Sequence, residues 1–222
     1  MIFSGVRVML DKIPLNIQQQ VKRGVSILRQ GGVVVFPTDT IYGLGAGANL
    51  SQAVERVYRV KERPRNMALP LFLARISQIS EVASYVPPIA WLLAHNFLPG
   101  ALTLVLFKSG LVPDMVTAGG ATVAVRIPAH PVPIALVEGL GMPVVGTSAN
   151  LSGKPGSVTA DEVFSQFGDK IDLVIDGGRC PEGKESTIVD VTREKPVILR
   201  EGAISREKLR QVWGDIRLKE GD

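Results

Sequence analysis

From Asn16 to Gln30 the apolar residues Ile17, Val21, Val25 and Leu28 recur at helical spacing, and Gly31-Gly32 closes the pattern, which predicts an amphipathic helix. The run "VVVFP" reads as a buried strand. The following "PTDTIYGLGAGA" is too rich in glycine and small polar residues to predict a regular element. Asn49 with Gln52 offers a capping box for a helix bearing Val54, Val57 and Val60, with Lys61 near its end. Alternation then continues. "LPLFLA" predicts a strand, Ile76 to Asn96 a helical stretch broken at Pro87-Pro88, "LTLVLF" and "TVAVRI" two strands, and the residues after Pro133 a helix. "MPVVGTSAN" is a strand running into a loop. Thr159 and Glu162 cap a helix ending near Phe167, and "DLVID", "STIVDV" and "PVILR" give three strands close together in sequence before a last helix from Ser205. Early alternation and late clustering predict a mixed α/β sheet covered by helices. No repeat or low-complexity linker divides the chain, so one domain over residues 1–222 is expected, with a short C-terminal tail from about Trp213.

A hydrophobic content of 45% in 222 residues supports a sizeable core. No apolar run approaches the roughly 18 to 20 residues of a membrane helix, and Arg7, Asp11 and Lys12 interrupt the N-terminus where a signal peptide needs an apolar centre. No membrane association is expected. Cys180 is the single cysteine and cannot form an internal disulfide, which fits a reducing, cytoplasmic location, and His95 and His130 lie far apart without metal-ligand spacing. The net charge of +4 is unevenly spread: Arg56, Arg59, Lys61, Arg63 and Arg65 stand against Glu55 and Glu62 in one short stretch. A polyanionic partner suits that stretch.

Two glycine-rich stretches imitate nucleotide loops. "GRCPEGKES" has the glycine and lysine spacing of a P-loop, but Glu185 stands where a hydroxyl should meet magnesium, and "STIVDV" after it alternates like a strand where a helix is required. It is read as a turn between strands. "GLGAGANL" has Ala48 at the third glycine position of a dinucleotide fingerprint, and no acidic residue ends a following strand at the required distance.

Polar residues gather instead in four other places. "PTDTIYGLG" puts Thr38, Asp39, Thr40 and Tyr42 at the end of a buried strand, where ligands of open α/β sheets lie. In "KERPRN" a proline-extended backbone would bring Lys61, Arg63 and Arg65 to one side. A solvated helix end explains the same residues equally well. "GTSANLSG" offers Thr147, Ser148 and Asn150 as neutral hydrogen-bonding groups for phosphate, or as a plain turn. Arg126 lies in an apolar strand and needs a buried anion: a ligand, a phosphate or a protein carboxylate such as Asp190.

Taken in order, "FPTDTIYGLGAGA", "KERPRNMALPLFL", "PGALTLVLF", "VAVRIPAHP", "GTSANLSGKPGS", "STIVDV" and "LREGAIS" resemble the YrdC-type L-threonylcarbamoyladenylate synthases over roughly Asn16 to Ser205. The resemblance implies an α/β fold, a twisted mixed β-sheet flanked by helices around a concave cavity. It implies an enzyme that condenses L-threonine, bicarbonate and ATP to threonylcarbamoyladenylate and pyrophosphate, with Mg2+ accompanying ATP. Downstream threonylcarbamoyl-transfer proteins then modify tRNA, which the basic surface would contact through backbone charge. By the same resemblance Thr38, Arg126 and Ser186 are threonine-binding, and Lys61, Arg63, Ser148 and Asn150 carry the catalytic chemistry. Lys61, Arg65, Thr122, Gly146, Ser148, Gly156 and Arg200 fall on the ATP side. No metal ligand is assigned. Two departures stand out: "LPLFLA" lacks a histidine that some relatives carry, and the chain ends at Asp222, before a separate C-terminal domain found in others, which leaves "KERPRN" as the expected moving cover. The rival readings are a non-enzymatic RNA-binding module, disfavoured by an aromatic content of 5%, and a carbamoyl-adenylating enzyme for another acceptor, which usually carries added modules.

Overall fold

The computed structural model describes residues 13–214 and, as backbone, 217–218. The N-terminal charges at Arg7, Asp11 and Lys12 and the end of the expected tail lie outside the described residues. The helix expected at the start is α1 (Leu15–Arg29), which leads into β1 (Val34–Phe36). Next come β2 (Gly43–Gly47), α2 (Ser51–Lys61), β3 (Leu71–Phe72), α3 (Ile79–Val82) and α4 (Pro88–Phe97). Then follow β4 (Leu102–Phe107), α5 (Asp114–Thr117), β5 (Thr122–Arg126), α6 (Pro131–Leu140) and β6 (Val144–Ser148). The last elements are α7 (Ala160–Phe167), β7 (Leu173–Val174), β8 (Thr187–Asp190), β9 (Val197–Arg200), α8 (Arg206–Val212) and β10 (Arg217–Leu218).

Among the described residues ten strands join one mixed sheet in the order β10-β9-β8-β4-β5-β3-β6-β2-β1-β7. Pairs β1/β7, β3/β5, β4/β8 and β9/β10 are parallel, and the others are antiparallel. Helices pack on this sheet around one continuous apolar core: α1 lies against α6, and α4 against β4 and α8. This is the mixed α/β sheet covered by helices that the alternation predicts.

Three expectations change. Glycine-rich residues 43–47, read as irregular, form a fully buried inner strand. Their role is steric. A Cβ on Gly45 would lie 2.6 Å from Val144 Cγ1 and 2.8 Å from the Val145 carbonyl, so only glycine lets β2 and β6 approach beside the Phe36 ring. Second, Asn49 does not cap α2; Leu50 holds that position without a side-chain cap, whereas Thr159 caps α7 as expected and Ser205, at the expected start of the last helix, caps α8. Third, the three late strands part company. Strand β7 pairs with β1 at one end of the sheet, while β8 and β9 lie toward the other, because Asp172 accepts from the Val33 N–H (2.7 Å) and receives a two-point ion pair from Arg56 (2.6 and 2.8 Å).

Candidate active site

Residues of neighbouring strands line one cavity of about 590 Å³. Its floor comes from every second residue of the sheet: Ser186 and Ile188, Thr103 and Val105, Ala124 and Arg126, Phe72, then Gly146 and Ser148. Period-two alternation puts these on one face, and sheet twist makes that face concave. Depth comes from glycine, since a Cβ on Gly146 would stand 2.6 Å from the Phe72 ring.

Three polar clusters stand in this cavity. The first is built on Arg126, whose side chain is 6% exposed. Its Nε donates to the Gly100 carbonyl (3.0 Å), Nη1 to Thr40 Oγ1 (2.9 Å) and Nη2 to Asp39 Oδ1 (2.7 Å). The buried anion required by Arg126 is therefore Asp39. Asp190 instead accepts from Thr192 and pairs with Arg193. Thr38 Oγ1 donates to the Ile41 carbonyl (2.6 Å) and accepts from the Thr40 N–H, which shapes the loop between β1 and β2.

The second cluster is Lys61, buried at the end of α2. Its Nζ reaches the carbonyl and Oγ of Ser148 (2.7 and 3.2 Å) and the carbonyl and Oδ1 of Asn150 (3.0 and 2.9 Å). Four acceptors share three protons. Burial, with Arg63 adding to it, lowers the Lys61 ammonium to about 8, while Glu185 across the cavity opposes the shift. Arg63 lines the same wall and donates to the carbonyls of Met67 and Ala68 (3.1 and 2.8 Å), which fastens the turn after α2.

In the third cluster Ser186 Oγ meets Thr103 Oγ1 at 2.9 Å, and Arg200 donates to the Ser186 carbonyl (2.8 Å) and pairs with Glu185. Lining residues Thr103 and Glu185 were not among the residues singled out from sequence, whereas Thr40, marked only as part of the polar loop after β1, lines the cavity and takes a bond from Arg126. Thr103 looks like one more position of an apolar strand until its neighbours are known. Glu185 was visible only as the residue spoiling the P-loop.

Other expectations fare differently. Of Lys61, Arg63 and Arg65 only the first two share the cavity wall, and Glu62 adopts a left-handed conformation (φ 55°) that turns the chain at the end of α2. Arg65 lies outside the cavity and pairs with Glu55, its side chain 74% exposed. Thr122 shares a strand face with Ala124 and Arg126 but stands beyond the lining, and Gly156 lies behind Ile41, to which its Cβ would come within 2.6 Å. Gly146 and Arg200 do line the cavity. The imitation P-loop is a turn with Gly178 and Gly183 at positive φ (82° and 64°), and its amides serve protein carbonyls. Glu182 N–H donates to Asp39 O (3.2 Å) and Gly183 N–H to Thr40 O (3.0 Å), so the turn braces the loop that faces Arg126. Cys180 is buried there, and burial pushes its thiol up. Among the described residues no group of three or more metal-ligating side chains comes together, and no helix is long and apolar enough to cross a membrane.

Residues 26–202 match the Sua5/YciO/YrdC family model, described as telomere recombination. The threonylcarbamoyl-AMP synthase of Pyrococcus abyssi is 41% identical over 211 residues, which cover 93% of this chain and 62% of that protein. The Bacillus subtilis threonylcarbamoyl-AMP synthase is 40% identical over 212 residues, covering 95% and 61%. The crystal structure of P. abyssi Sua5 complexed with L-threonine has a TM-score of 0.88 at 42% identity, covering 90% of this chain and 58% of that one. The chain thus spans about three fifths of the length of these relatives.

Proposed function

This chain belongs to the Sua5/YciO/YrdC family, and from that premise we propose that its cavity is the active site of a threonylcarbamoyl-AMP synthase. The observation that carries this reading is the convergence in one cavity of a buried guanidinium at Arg126, the cations Lys61, Arg63 and Arg200, and the hydroxyls of Thr38, Ser148 and Ser186. An amino acid and a triphosphate need such a set together. The complex of P. abyssi Sua5 with L-threonine supports the amino-acid half.

The chemistry has two steps. The threonine amine adds to bicarbonate, losing water and giving a carbamate. A carbamate oxygen then attacks the α-phosphorus of ATP as the bond to pyrophosphate breaks, leaving the adenylate. Arg126 holds the threonine carboxylate, with Thr38 and Ser186 beside it. Lys61, Arg63 and Arg200 offset negative charge on the departing pyrophosphate, and the Ser148 hydroxyl donates to a phosphate oxygen, while Asn150, whose amide N–H groups go to the Leu151 and Lys154 carbonyls, anchors Lys61. Lys61 first organises the loop bearing those two residues, since all its protons face that loop. The wall from Arg63 to Ala68 lines one side of the cavity, where it would shield an unstable carbamate from water.

Magnesium enters as part of the nucleotide. Glu185 is the only carboxylate residue in the described lining and is paired with Arg200, a donor set suited to a cation already ligated by phosphate oxygens and water. Bicarbonate as third substrate, contact with tRNA, transfer of the product by a partner protein and a cytoplasmic setting complete the proposal.

Pyrophosphate release should require both threonine and bicarbonate, with label from bicarbonate recovered in an adenylate. Independence from both, in folded protein, sinks the proposal and redirects attention to tRNA binding and carbamoyl phosphate. Ser148→Ala should lower turnover at least tenfold without loss of folding, read as single-turnover adenylate formation.

A further inference from the structure

Among the three polar clusters, the one at Arg126 has a member that does not line the cavity. Asp39 stands behind the guanidinium, its side chain 12% exposed, in the loop between β1 and β2. Its Oδ1 accepts from Arg126 Nη2 at 2.7 Å and from the Ala129 N–H at 3.0 Å, so one oxygen ties the cation to the backbone just before α6. The Asp39 carbonyl in turn accepts from the Glu182 N–H (3.2 Å), so the turn that imitates a P-loop braces the same residue.

Donor counting gives this arrangement a direction. A guanidinium has five N–H groups. Gly100, Thr40 and Asp39 take one each from Nε, Nη1 and Nη2. One N–H remains on each terminal nitrogen, and Arg126 lines the cavity. Two such donors suit the two oxygens of a carboxylate. We infer that Asp39 is a positioning residue for threonine binding, holding Arg126 from behind so that its two remaining donors meet the amino-acid carboxylate.

The inference rests on the proposed function for the identity of the ligand. Its physical basis is separate. An arginine with this little exposure needs a compensating charge, and a carboxylate on the protein side supplies it without occupying the ligand's place. Burial lowers the Arg126 guanidinium from its usual range, and the charge and hydrogen bond of Asp39 oppose that loss. Without Asp39 the guanidinium would be free to turn about its long side chain, and preorganisation would be lost.

The test is calorimetric titration of L-threonine, and separately of ATP, into wild type, Asp39→Asn and Asp39→Ala. Asparagine keeps an oxygen for Arg126 and Ala129 while removing the charge, whereas alanine removes both the oxygen and the charge. Asp39→Ala should weaken threonine roughly ten- to hundredfold and Asp39→Asn several-fold, with ATP affinity within about twofold of wild type in both. Turnover at saturating threonine should fall much less than the ratio of turnover to threonine KM. Threonine affinity unmoved in Asp39→Asn, or threonine and ATP weakened alike, overturns the inference. Wild type that binds no threonine at all overturns the proposed function with it, and so separates the two failures.

Discussion

Lys61 is a cation that burial disfavours and four oxygen acceptors retain. Its ammonium sits at about 8, below the 10.5 of a free lysine. Because the unfolded chain holds this proton more tightly, the charged form costs the folded state at neutral pH, and stability should rise between about pH 8 and 10.5, where the folded state has lost the proton and the unfolded state still holds it. The difference is roughly 3 kcal/mol. Urea denaturation of wild type and Lys61→Met across that window should show wild type gaining relative to the variant, and parallel profiles would remove the claim. Turnover that needs charged Lys61 should decline above about pH 8. At Arg126 the expectation concerns one substrate: Arg126→Ala should lose threonine affinity by roughly a hundredfold in equilibrium titration while nucleotide affinity stays near wild type. Arg126 and Lys61 were legible as odd cations in the chain, but Asp39 and Thr103 were not legible as their neighbours' supports. A carboxylate in a loop and a threonine in an apolar strand have ordinary meanings until a fold brings others to them.

At the scale of elements, periodicity served well where apolar side chains mark a face, as in α1, β4 and β5, and failed where side chains are absent. Strand β2 is glycine because it is squeezed, and squeezing leaves no periodic signal. Gly45→Ala should therefore destabilise by about 1 to 3 kcal/mol, measured by urea denaturation, since a methyl would meet Val144 and the Val145 carbonyl. A neutral result would mean that β2 and β6 can spread. The "KERPRN" stretch shows the opposite error. A proline after an arginine predicted extension, but Glu62 ends α2 in a left-handed turn, and Arg65 leaves for Glu55. Nothing local required that glutamate to accept a conformation costly for most residues; packing around Tyr58, whose hydroxyl donates to the Met67 and Met115 carbonyls, holds the turn in place.

The described residues build a single ten-stranded sheet, flanked by helices, whose cavity collects residues from opposite ends of the described chain: Thr38 near its start and Arg200 near its end. Ligands that bind such a surface stabilise the entire fold by mass action. Threonine at a hundred times its dissociation constant should add about 2.7 kcal/mol, seen as a raised melting temperature. Arg126→Ala should cut the threonine-induced gain at that concentration to about 0.4 kcal/mol while keeping the rise induced by ATP. Loss of both would mean a damaged cavity. The amino-acid order alone determined the type of most elements, the mixed α/β class, the rejection of both nucleotide-loop imitations and the family motifs, because each depends on side-chain period, turn chemistry or a short spacing. Tertiary structure alone decided that β7 crosses to β1 while β8 and β9 remain beyond β4, that the partner of Arg126 is Asp39, and that Lys61 closes on the loop after β6. Those are contacts between residues 85 or more positions apart, and their pairing depends on strand order and on which buried charge finds which counter-charge, quantities that no local spacing contains.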